Sequence, residues 1–197
     1  MNLVEYELHV TKLTPVLSEG KLYRYVLAAN GVFVYSKNNY FEALIPVRTI
    51  SNAAQFVRGL EPAVPFFKII QKVNFELLQE AISMADAMIP LECLFYFQYL
   101  DKDWICYTPK QQVTRSSVIP DVQFGDYIPI EMHSHNTMDA IFSDTDNADE
   151  TGFRVYGVIG HVDRPVVDIK MRISIYGHRY VIPYESVFER NPEARNV

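Results

Sequence analysis

Between Glu131 and Asp146 the chain reads EMHSHNTMDAIFSDTD, with His133 and His135 one residue apart at the end of an apolar-alternating run. On a strand, side chains at i and i+2 point to the same side, so the two imidazoles can be presented together. Zinc suits two neutral imidazoles and a carboxylate, with the fourth position open in a catalytic site. Four nearby carboxylates are candidates for the third ligand: Asp139, Asp144, Asp146 and Asp149. Ser143 and Asp146 are three apart and share a face if a helix opens there. The plainer reading of SDTD is a helix start, with Ser143 at the N-cap and acidic residues in the first turn. Glu131 lies on the side of the histidines by period-two counting and is a candidate general base. It sits about 7 Å along the strand from His133, which also suits a surface group.

The string H-x-H-x7-S-x2-D, formed by His133, His135, Ser143 and Asp146, resembles the signature of the JAMM (JAB/MPN) metalloprotease family. The resemblance covers roughly residues 70–185. It implies one Zn2+ per chain, held by His133, His135 and Asp146. The family also uses a glutamate just after a helix and at the start of a strand, and IPLECLFYF places Glu92 in that setting. The resemblance therefore implies Glu92 as general base and acid, and Ser143 as a donor to the developing oxyanion. The implied reaction is hydrolysis of an amide bond in a protein or peptide, in this family often an isopeptide linkage to ubiquitin or a ubiquitin-like protein. The stretch HSHNTMDAIFSDTDNADETGFRVYGVIG is similar to JAB proteins of the bacterial gene cassettes called PRTRC, which also encode ubiquitin-like partners. Those proteins carry an extension before the JAB domain. The chain departs from the family pattern twice: Asn136 stands where most prokaryotic members have Pro, and Cys93–Tyr96 fill a run that usually contains Gly. A catalytically idle JAB-fold binding module is the alternative function. Idle relatives typically lack a ligand, and this chain lacks none.

The elements that must position these residues follow from periodicity. Strands are expected over 3–10, 22–29, 32–37 and 40–47, with Asn30-Gly31 as a type I′ hairpin turn. Residues 1–65 thus form a β-rich extension, and 66–197 the domain with the motif. From Phe66 to Met88, apolar residues recur at three to four residues as a helix stripe through Ile70, Val73, Leu77, Ala81 and Met84. Asn74 can cap a second helix if the segment is broken there. Strands follow over 91–100 and 104–108, joined at Asp101-Lys102-Asp103, then 113–119 and the histidine strand over 127–135. After the helix at Ser143, strands are expected over 154–162, 166–177 and 178–184. The fold class is α/β (α+β): a JAB/MPN, cytidine-deaminase-like mixed sheet flanked by helices, preceded by a small β meander.

Composition bounds the function. Apolar residues make up 49% of the 197 residues and charged residues 21%, the balance of a globular chain with a real core. A net charge of -6 argues against a nucleic-acid partner, which needs clustered Lys and Arg. No window of about 18 apolar residues exists to cross a membrane. With no secretory pattern and two cysteines expected as reduced core thiols, the expected location is cytoplasmic. His161 is expected to be structural rather than a ligand.

Overall fold

The computed structural model describes residues 3–121 and 128–190. Residue 127, where the expected histidine strand opens, and the polar tail over 191–197 lie outside the described residues. The chain divides into two compact units, residues 1–71 with 178–180 and residues 72–177 with 181–197. The architecture is mixed, mostly sheet with few helices.

The first unit is a five-stranded sheet in sequential order: β1 (Val4–Leu8), β2 (Tyr23–Ala28), β3 (Gly31–Lys37), β4 (Phe41–Thr49) and β5 (Phe66–Ile69). β1 runs parallel to β2 and the other neighbours are antiparallel. Its core gathers Val26, Ala28, Phe33, Tyr35 and Leu44. Ala28 pairs with Gly31, so the hairpin turns on Ala29-Asn30, one residue earlier than expected. Neither residue has the positive φ of a type I′ turn. Gly31 serves another purpose: a Cβ there would run into the carbonyl of Arg48 on β4.

The expected boundary at residue 65 falls later, because Phe66–Ile69 pairs with Phe41–Leu44 as an edge strand. The helix therefore does not begin at Phe66. Asn74 caps it, accepting from the Glu76 amide, and α1 spans Phe75–Ala87. Its buried stripe is Phe75, Leu78, Ala81 and Ala85 rather than the one through Leu77 and Met84. Residues 66–70 contributed a false phase to the periodicity, since alternation and helical spacing coincide over so short a run.

In the second unit, β6 (Leu94–Leu100) and β7 (Asp103–Tyr107) form a hairpin. Its turn residues Asp101 and Lys102 both have positive φ, the I′ geometry that favours right-twisted strands. The strand expected over 113–119 is a two-stranded ribbon, β8 (Gln111–Val113) and β9 (Val118–Pro120). β10 (Ile130–Ser134) carries the histidines, α2 (Asp144–Asp149) follows, and β11 (Phe153–Gly160), β12 (Asp168–Ile175) and β13 (His178–Ile182) complete the sheet, the first three residues of β13 being counted with the first unit. The six-stranded sheet runs β13-β12-β11-β10-β6-β7. β10 and β11 are parallel neighbours, so the chain must cross over between them, and α2 lies in that crossover. Ile130, Met132 and Ser134 are buried while Glu131 and His133 are only half-buried, which sorts β10 into a core face and a cleft face. Among the described residues no helix is long and apolar enough to cross a membrane.

Candidate metal centre

β10 ends in the middle of the sheet, between β6 and β11, which holds its backbone on both sides. The His135 amide donates to Ile159 O at 2.8 Å, extending the parallel ladder one residue past the strand. His133 and His135 consequently project on one side, with Nε2 atoms 3.1 Å apart. Asp146 Oδ1 lies 3.5 Å from His133 Nε2. The three ligand atoms all fall within 4.8 Å of one another. Tetrahedral zinc with bonds of 2.0–2.1 Å separates its ligands by about 3.3 Å, so the observed spacing fits one ion.

The donor chemistry fits as well. His135 Nδ1 is 3.2 Å from the carbonyl of Asp139, which only a protonated Nδ1 satisfies, leaving the Nε2 lone pair in the cleft. His133 Nε2 stands 3.1 Å from His135 Nε2, a pairing that either one proton or one cation between the rings satisfies. Burial pushes the His133 imidazole well below its ordinary pKa, against the opposing pull of Asp146. Burial thus favours the neutral form a metal needs.

Asp146 is aimed by the start of α2. Ser143 Oγ accepts from the Asp146 amide at 3.2 Å, and Asp146 Oδ2 accepts in return from the Ser143 amide. This capping box satisfies two orphan donors at the helix start. The Ser143 hydroxyl donates to Asp146 Oδ2 at 2.7 Å, leaving Oδ1 turned toward the histidines. The cap and the ligand geometry are therefore one arrangement. Ser143 directs its hydrogen at Asp146 rather than into the cleft.

Glu92 reaches the same cleft from the segment that leads into β6. Leu94 pairs with His133, and the Ser134 amide donates to Cys93 O at 2.9 Å, so Cys93 falls on the core side and Glu92 on the cleft side. The Glu92 residue is only 4% exposed, and burial followed by the nearby Asp146 charge raises its pKa to about 7. Glu131 also lines the cleft, with Arg154 Nη1 3.7 Å from its carboxylate. Burial raises its pKa to about 7 too, opposed first by Arg154, and Asp146 is the weakest contributor. Asp146 is the neighbouring charge that raises Glu92, whereas Glu131 also feels Arg154, Glu150 and Asp149. The cleft measures about 760 Å3 and brings together Glu92, Glu131, His133, His135, Ser143 and Asp146.

The other candidate ligands stand apart. Asp139 pairs with His161, whose Nε2 lies 2.5 Å from Asp139 Oδ1 and whose Nδ1 lies 2.9 Å from Thr137 O. His161 braces the loop that presents Asp139 O to His135. Asp144 and Asp149 lie outside the cluster. Asn136 explains the absence of Pro after His135: its φ is 50°, while a proline ring holds φ near −65°. Its Nδ2 donates to Pro90 O, tying the end of the histidine strand to the segment that leads into Glu92.

Sequence reasoning missed Arg172. Its Nε is 2.7 Å from Glu150 Oε2, both side chains being buried. Nothing in the spacing of the motif marks a residue so far along the chain. No protein-family model matches the chain, and no curated protein matches it.

Proposed function

We propose that the chain is a zinc-dependent metallopeptidase of the JAMM (JAB/MPN) type, hydrolysing an amide or isopeptide bond. The convergence of His133 Nε2, His135 Nε2 and Asp146 Oδ1 beside a buried Glu92 carries this reading. Zinc at these atoms supplies Lewis acidity and lowers the pKa of water toward about 7. The protein residues supply the rest. A Glu92 carboxylate poised near pH 7 takes the proton of the attacking water and returns it to the leaving nitrogen, the range in which a general base works best. Ser143 keeps Asp146 oriented, and on releasing Oδ2 its hydroxyl can donate to the oxygen that gains charge.

Ser116–Pro120, the turn into β9 and β9 itself, line the cleft together with His133, His135 and Asp146. The substrate class is a protein or peptide, with a ubiquitin-like C-terminal tail as the first to test. The experiment is cleavage of C-terminal fusions of ubiquitin-like proteins by the zinc-loaded chain, with His133→Ala as control. Cleavage by wild type that chelation and His133→Ala both abolish is the expected result. Stoichiometric zinc without cleavage across a broad panel overturns the peptidase and leaves a binding module.

A further inference from the structure

α2 carries Asp146 in its first turn but has only six residues, too few to hold itself together. Its two ends meet the same strand. At the far end, Glu150 is the C-cap residue, 3% exposed, and its carboxylate pairs with Arg172 Nε on β12 at 2.7 Å. The Glu150 carbonyl accepts from Ser174 Oγ at 3.3 Å, two residues along the same strand. At the near end, Phe142 precedes the Ser143 cap, and the Arg172 guanidinium lies 3.7 Å from the centre of its ring. One planar cation therefore touches the residue before the helix and the residue that closes it.

Resting on the metal-site reading above, we infer that Arg172 is the positioning residue for the third ligand, holding Asp146 in place through Phe142 and Glu150. A buried ion pair is weak evidence for stability, because desolvation offsets most of the attraction. Its specific use here is geometric. A guanidinium can lie over a ring and pair its charge with a carboxylate at once, which an ammonium cannot reproduce. Losing this brace frees α2 to shift against β10, and Asp146 Oδ1 leaves the point where the histidines converge. The histidines keep their own ladder bonds, so a two-histidine remnant survives.

The test measures zinc affinity by competition with a chromophoric chelator, and the visible spectrum of the cobalt-substituted protein. Arg172→Lys preserves charge, and Arg172→Met with Glu150→Met replaces the pair by apolar volume, so that at least one of them folds. Arg24→Lys, where a buried arginine pairs with the half-buried Glu5 in the other unit, controls for general loss of stability. Expected is a zinc affinity reduced about 10–100-fold in both Arg172 variants, the range for residues that orient ligands, with an altered cobalt spectrum. Arg24→Lys is expected to retain wild-type affinity. Folded Arg172 variants with wild-type affinity and spectrum overturn the positioning role alone. Wild-type protein that binds no zinc overturns the metal site, and the positioning role with it.

Discussion

Ser143 and Asp146 hold each other reciprocally: the serine oxygen takes the aspartate amide, and the aspartate Oδ2 takes both the serine amide and its hydroxyl hydrogen. Because Oδ2 is fully engaged, Oδ1 is the atom left for the histidines. The bonds of an ordinary N-cap here also leave Asp146 Oδ1 turned toward His133. Replacing Ser143 by Ala removes the hydroxyl but leaves the amide contact. The helix start is expected to weaken by about 1 kcal/mol, and zinc affinity to fall about tenfold. Thermal unfolding of the apo chain and chelator competition measure the two effects separately.

Glu92 makes the apo protein sensitive to pH in a definite direction. Its carboxyl is raised from the ordinary 4.5 to about 7, so the folded state binds more protons than the unfolded state between those values. Stability from this group is therefore present below about 4.5 and lost as pH rises to about 7. Glu92→Gln mimics the protonated form. The difference in unfolding free energy between Glu92→Gln and wild type is expected to move in favour of the variant as pH rises through that window. A difference independent of pH contradicts the buried placement of Glu92.

Asn136 is expected to reject the proline that most prokaryotic JAB proteins have after the second histidine. Asn136→Pro replaces a left-handed φ of 50° by a fixed negative one and deletes the bond to Pro90 O. A loss of more than about 1 kcal/mol follows. Chemical denaturation reads it directly.

Gly160 packs the end of β11 against the loop after the histidines. A Cβ there would meet the backbone of Met138, Asp139 and Ala140, which cannot move as a side chain would. Gly160→Ala is expected to destabilise by about 1–3 kcal/mol and to weaken zinc binding, since the displaced loop supplies Asp139 O to His135. Gly157→Ala is the milder comparison, because its Cβ would meet only the flexible Met132 side chain.

Much of this arrangement was legible in residue order. Strand alternation put His133 and His135 on one side, and the Ser143 cap placed Asp146 in a first turn, because both rest on local geometry. The bring-together of Glu92 with them was readable only through the family resemblance. Its physical cause, the β6–β10 register that pairs Leu94 with His133, is a long-range fact. Helix placement failed over 66–70, where a four-residue edge strand imitates part of a helical stripe. The Arg172 brace was invisible because its partners Phe142 and Glu150 come from another element and only the packing of α2 on β12 joins them.

The most direct measurement is the rate of amide cleavage by zinc-loaded Glu92→Gln beside zinc-loaded Glu131→Gln, with metal content determined on the same samples. Glu92→Gln is expected to keep one zinc per chain and lose about 10²–10⁴-fold in kcat, the contribution of a positioned acid–base group. Glu131→Gln is expected to stay within about tenfold of wild type. Wild-type turnover by Glu92→Gln, or its collapse in Glu131→Gln alone, contradicts the account.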